Sequence, residues 1–277
     1  MKSIVCFLLV LLAIVAIPGT SGSVGVIEWS RDYSLGLEQA RIERKPVMID
    51  FYTFWCYYCK VLDTRTYTDP TVISTSQSFV SIKINAERER ELARGFRISA
   101  YPIIVFLSRD GTEIDRIYGY VTAPVLKGRL DKILADTGRL KILEEKYNRS
   151  RDAEAAYLYA DELMAKGNFR EAEKVLAKAG SASDAKRKAD IALDLAVCRF
   201  RQTKYKAAAN ELSKFLSKFK DSERANEAEL FYGLSLISSG QKDKGLSVLD
   251  GLQEKAPGKW VGQEGARQAV LVRGPAK

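Results

Sequence analysis

The 277-residue chain has no histidine and only four cysteines, three methionines and three tryptophans. A zinc site takes about four Cys, His or carboxylate ligands. With histidine absent and Cys198 the one thiol left after Cys6, Cys56 and Cys59, a Cys-ligated site lacks ligands. A disulfide-stapled scaffold is excluded for the same reason, since it would need more cysteines at looser spacing. Also absent is any dense basic run with interleaved aromatics. The formal net charge is +9, but Lys and Arg are scattered among Glu along helical stretches, the pattern of a solvated surface and not of a nucleic-acid interface. What is present, 46% hydrophobic residues and 29% charged ones, describes a folded chain long enough for two modest domains.

The N-terminus runs Met1-Lys2, an apolar stretch from Ile4 to Ile17, then Pro18-Gly19-Thr20-Ser21-Gly22-Ser23. Charge, apolar core and small residues in that order predict a secretory leader over residues 1–23 and an exported, periplasmic or extracytoplasmic protein. The apolar stretch falls short of a comfortable membrane span, and a retained leader would act as a tether; the sequence leaves cleavage open. Cys6 lies inside the stretch instead of after it, which does not fit a lipidation site.

Between Pro46 and about residue 135, short apolar runs alternate with helical patterns. Val47–Tyr52, Phe79–Ile84 and Ile103–Leu107 read as strands, Ser34–Glu43, Cys59 to about Tyr67 and Ala123–Ala135 as helices, and Arg109-Asp110-Gly111-Thr112 as a hairpin turn into Ile114–Tyr118. This order predicts an α/β domain over residues 24–137 with a central mixed sheet flanked by helices. After residue 138 the β-branched runs vanish. Aligning Gly167, Thr203 and Gly240 brings Ala160, Ala196 and Gly233 into one column, Ala172, Ala208 and Gly245 into a second, and Leu176, Leu212 and Leu249 into a third. Spacings of 36 and 37 residues predict stacked helical hairpins over residues 138–277.

Cys56 and Cys59 stand three residues apart, directly after the first strand. If the run closes a strand and opens a helix, Cys56 sits at the helix N-terminus, where unpaired N–H groups and the macrodipole favour a thiolate. In an exported chain one close pair suggests redox chemistry on other proteins.

Trp55-Cys56-Tyr57-Tyr58-Cys59-Lys60, with Asp50 six residues before Cys56, Lys83 in Lys83-Ile84-Asn85 and Tyr101-Pro102 before an apolar strand, resembles the thioredoxin superfamily. Ile27-Glu28-Trp29, Lys45-Pro46-Val47-Met48 and Asp69-Pro70 bring residues 26–136 nearest to the exported C-terminal domain of transmembrane thiol:disulfide interchange reductases. The helical repeats, with Gly167-Asn168-Phe169 and Pro257, resemble tetratricopeptide repeats over residues 153–260. The resemblance implies that Cys56 attacks a substrate disulfide and Cys59 resolves the mixed disulfide. It implies that a buried Asp50 takes the Cys59 proton through a water, with Lys83 limiting the rise in its pKa and keeping it oriented. Trp55, Tyr57, Tyr58, Tyr101 and Pro102 would meet the substrate, with the Tyr101 backbone offered to an extended strand. No cofactor beyond the Cys56–Cys59 disulfide and no metal is expected.

Plainer readings exist for each residue: Asp50 as a strand-end carboxylate, the aromatics as exposed packing residues, Cys198 as an inert buried thiol. The family's strongest oxidants use a histidine between the cysteines; its absence leans toward a reductase or electron relay. Partners are then protein thiols and disulfides, plus a protein docked on the repeats. The rival is an assembly adaptor in which the α/β fold is a scaffold; an oxidase or isomerase is the same enzyme run in the other direction.

Overall fold

The computed structural model describes residues 25–136, 138–179 and 184–274; the leader segment expected over residues 1–23 lies outside them. The first half holds β1 (Trp29–Ser30), α1 (Tyr33–Glu43), β2 (Val47–Tyr52), α2 (Tyr57–Val61), α3 (Pro70–Ser76), β3 (Val80–Asn85), α4 (Arg90–Gly95), β4 (Ile103–Leu107), β5 (Glu113–Tyr118) and α5 (Ala123–Ala135). The strands form one mixed sheet in the order β1-β3-β2-β4-β5, with β1, β3 and β2 parallel and β4 and β5 antiparallel.

β2 is central, so both of its faces are covered and alternate residues enter different cores. Met48 packs with Ile104, Phe106, Leu62, Leu126 and Leu130 on one face. Val47, Ile49 and Phe51 pack with Ala40 and Ala93 on the other. The predicted turn at 109–112 is present: Gly111 takes φ +88° and the Ser108 N–H donates to the Thr112 carbonyl at 2.8 Å. Two short helices, α3 and α4, escaped the sequence pattern. The first is cut by its own signals, Asp69 accepting from the Thr71 N–H at 2.8 Å and Pro70 filling the first turn. The expected helix from Cys59 to Tyr67 is instead α2 followed by a π-helical turn, Leu62–Thr66, in which the Tyr67 N–H reaches back five residues to the Leu62 carbonyl.

The second half is all helical: α6 (Gly138–Ser150), α7 (Ala153–Ala165), α8 (Phe169–Ala177), α9 (Ala185–Arg201), α10 (Tyr205–Lys218), α11 (Ala225–Ser238), α12 (Lys242–Lys255) and α13 (Trp260–Arg273). The aligned residues Gly167, Thr203 and Gly240 sit in the turns of the three successive hairpins, all left-handed, with φ of 77°, 62° and 94°. A left-handed residue lets the second helix fold straight back on the first. The small-residue columns then let the paired helices close: a methyl group on Gly233 would fall 2.6 Å from Leu249 Cδ2.

The two halves are sewn together by charge. Arg44, buried at the C-terminal cap of α1, donates to Asp161 of α7 at 2.8 Å and to Asp194 of α9 at 2.7 Å. Arg109, in the β4–β5 turn, bonds Asp161 and Glu162. Ile42 of α1 is buried within the helical core, and Glu38 of α1 accepts from the Trp260 N–H at 3.0 Å, capping α13. Part of the face formed by the leading helices of the hairpins is thus taken by the chain's own first half. In the register, Val47 pairs with Leu107 at one end of β2 and Phe51 with Ile103 at the other. Arg44 and the 109–112 turn belong to the first end, Cys56 to the second, so the helices grip the sheet at the end away from the cysteines.

Candidate active site

β2 leads into a short loop in which Cys56 becomes the N-cap of α2. Cys56 and Cys59 form a disulfide with their Cα atoms 5.3 Å apart. The Cys59 N–H donates to Cys56 Sγ at 3.1 Å. On reduction that donor faces the sulfur that carries charge, which favours its ionised form. Both cysteines are buried in this oxidised state, whereas a nucleophile at a helix N-terminus is expected to stand open to water.

Beneath the pair, Asp50 of β2 and Lys83 of β3 are direct partners across the parallel ladder. Lys83 Nζ lies 3.0 Å from Asp50 Oδ2, yet neither Asp50 oxygen receives a directed hydrogen bond among the described residues. Burial pushes the Asp50 carboxyl above its ordinary range, Lys83 opposes the rise, and Asp63 adds to it. The ammonium is also shared: Asp63, exposed at the start of the π-helical turn, is its second carboxylate partner. Trp29, Tyr52 and Tyr67 set their ring faces 5.1 to 5.2 Å from the same nitrogen. The Tyr67 hydroxyl is held well above its ordinary range by burial and by the neighbouring Asp50 and Asp63 carboxylates.

Around the disulfide stand the aromatic residues named from the sequence. Trp55, Tyr57 and Tyr58 are exposed. The Trp55 indole N–H donates to Glu87 at 3.0 Å, and its ring meets Tyr101 edge-on at 5.8 Å. The Tyr101–Pro102 peptide is cis. Every site residue expected from the sequence therefore converges on one end of the sheet. Asp63, Tyr67, Glu87 and Tyr120 belong there too and were missed. Cys59, Asp63 and Tyr67 succeed one another at intervals of four, a helical stripe that was available to be read. Glu87 and Tyr120 carry no such local signal. Cys198 lies in α9, fully buried, with its thiol pushed up to about 12. Among the described residues no group of His, Cys, Asp and Glu could hold a metal ion, and no helix is long and apolar enough to cross a membrane.

A five-stranded mixed sheet with helices on both faces and a Cys-x-x-Cys disulfide following its central strand define a thioredoxin-like fold. Residues 33–134 match the family described as "Thioredoxin-like domain". The chain is similar to the thiol:disulfide interchange protein DsbD of Campylobacter jejuni strain RM1221, 30% identical over 110 residues that make up 37% of this chain and 19% of that protein. It is also similar to DsbD 1 of Pseudomonas aeruginosa, 29% identical over 119 residues, 41% of this chain and 20% of that one. The chain thus spans about a fifth of the length of these curated relatives. A thioredoxin from Thermus thermophilus aligns in structure over 40% of this chain and 89% of its own, with 25% identity and a TM-score of 0.37.

Proposed function

We propose that the chain is an exported thiol-disulfide oxidoreductase that works as a reductase or electron relay on protein disulfides. The observation that carries this reading is the Cys56–Cys59 disulfide closed at the N-terminus of α2, with Asp50 and Lys83 buried behind it. In the reducing direction the Cys56 thiolate attacks one sulfur of a substrate disulfide. A mixed disulfide forms and the first substrate thiolate leaves. Cys59 loses its proton through a water to the Asp50 carboxylate and attacks Cys56 Sγ, and the second substrate thiolate leaves as the internal disulfide closes. Two electrons have then passed to the substrate. Asp50 suits the proton transfer because burial raises its proton affinity above the ordinary carboxylate range, with Lys83 opposing the rise. The Tyr101 backbone, next to Trp55, supplies main-chain hydrogen bonds to an extended substrate with little dependence on its sequence.

Export rests on the apolar N-terminal segment, a retained segment acting as a membrane tether. The left-handed turns and small-residue contacts recurring at 36 and 37 residues support tetratricopeptide-type repeats in the helical half. With Arg44 and Arg109 seated on the leading helices, a docked partner would use the surfaces of the repeats that remain free. The adaptor reading gains nothing from a scaffold that keeps Cys56, Cys59, Asp50 and Lys83 together.

Equilibrating the purified chain against glutathione redox buffers and trapping Cys56 and Cys59 by alkylation tests the proposal. A reductase or relay holds the pair oxidised until the buffer is strongly reducing; a pair that stays reduced in mildly oxidising buffer reverses the direction, and failure of Cys56 to alkylate at neutral pH after reduction removes the enzymatic reading. Substituting serine at both cysteines should abolish biological activity, and full retention would leave the adaptor.

A further inference from the structure

The rings next to the disulfide in the chain are exposed while the disulfide itself is buried. Trp55, Tyr57 and Tyr58 are 67%, 70% and 57% exposed, whereas Cys56 is 5% exposed and Cys59 1%. These exposed rings, neighbours of the disulfide in the chain, are held. Trp55 is pinned by its hydrogen bond to Glu87 and by its edge contact with Tyr101. On the other flank, Tyr58 stacks on Tyr120 at 6.2 Å with the planes 29° apart, and Tyr57 leans on Tyr58 at 5.4 Å. Tyr120 is itself partly buried against the core beneath α5. The two flanks join below, where the Gly119 N–H donates to the Pro102 carbonyl at 2.8 Å. The result is a collar running from Trp55 through Tyr101, Pro102, Gly119 and Tyr120 to Tyr58. Its weakest seam is Tyr58–Tyr120, a ring contact in which neither hydroxyl is hydrogen-bonded among the described residues.

We propose that Tyr120 is a specificity-determining residue of the oxidoreductase: with Tyr58 it forms one wall of a collar that admits a flexible, extended cysteine-bearing segment and rejects a disulfide held on a rigid, folded surface. The inference rests on the thiol-disulfide reading. An extended chain is thin enough to lie between the two aromatic flanks with its apolar atoms against the rings. A disulfide fixed in a convex surface is stopped by the rims before its sulfur comes within bonding distance of Cys56.

The test uses the full chain, reduced with dithiothreitol and freed of it, against two substrates: a disulfide-linked dimer of a short unstructured peptide, and insulin. In each, Cys56 and Cys59 give two electrons and end as the internal disulfide, and two substrate thiols are released, so the rates are comparable event for event. The wild type should favour the peptide, and Tyr120→Ala and Tyr58→Ala should each narrow the peptide-to-insulin ratio of rate constants by about tenfold, the scale on which one pocket group discriminates. Tyr120→Phe should keep the ratio. Because a partly misfolded sample loses both rates alike, the ratio reports the collar and not stability. Equal loss on both substrates in the alanine variants, or an unchanged ratio, overturns the proposal. A reduced wild type that reacts with neither substrate defeats the oxidoreductase reading beneath it.

Discussion

Arg44 and Asp194 are 150 positions apart in sequence and 2.7 Å apart in the fold. Both are buried, and Asp194 shares the same oxygen with Arg224 of the helical half, also at 2.7 Å. Asp194 is held below its ordinary carboxylate range because Arg224 and Arg44 together outweigh the cost of its burial. The pair therefore joins the α/β half to the helical half through a fully buried carboxylate.

Arg44→Gln should destabilise the chain by about 3 kcal/mol. Asp161 would keep Arg109 and Asp194 would keep Arg224, which holds the loss below that of a fully orphaned charge. Urea denaturation monitored by tryptophan fluorescence reads the change in midpoint. An unchanged midpoint would mean that the seam contributes nothing to stability.

If Asp50 is the base of the proposed mechanism, Asp50→Asn should slow turnover of a protein disulfide by at least about tenfold at neutral pH. It should also change how stability depends on pH. Because burial raises the Asp50 pKa, the folded chain binds that proton more tightly than the unfolded one. Stability from this source is complete below the ordinary value of 3.8 and is lost as pH climbs through the raised value. The asparagine variant lacks this loss, so its stability relative to wild type should increase with pH above 3.8 and then level off. Denaturant midpoints across a pH series measure the difference.

Asp63→Asn acts on the same proton from a distance. The Asp63 charge raises the proton affinity of Asp50 and competes for Lys83. Without it, the acid limb of the pH–rate profile should move to lower pH with the alkaline limb unmoved. A profile unchanged at both limbs would show that Asp63 does not communicate with Asp50.

Gly233→Ala should cost about 1–3 kcal/mol by overpacking, because the new methyl group would meet Leu249 Cδ2 at 2.6 Å and the Gly245 carbonyl oxygen at 3.2 Å. A shift in thermal midpoint checks this. No loss would mean that α11 and α12 can separate to make room.

Much of this architecture was legible in the sequence wherever the signal was local or periodic. Gly111 marked its turn, the apolar runs marked β2 and β4, and the column Gly167, Thr203 and Gly240 fell on the three left-handed turns. Asp50 and Lys83 were paired by resemblance, and the ladder sets them side by side. The contacts that stayed hidden join distant segments. Nothing around Arg44 signals a partner on α9, and nothing around Tyr120 signals Tyr58, because each contact exists only after the chain has closed. The π-helical turn was hidden for another reason: one extra residue in a turn leaves the apolar rhythm of 59–67 nearly intact while rotating the residues beyond it.

An array of stacked helices normally loosens from its ends, where the last helix has a neighbour on one side only. Here the final helix is fastened by a carboxylate from the other half, since Glu38 holds the Trp260 amide. Unfolding that lifts α13 off α12 must therefore break a bond to the opposite domain, which couples the persistence of this helix pair to the folding of the first half.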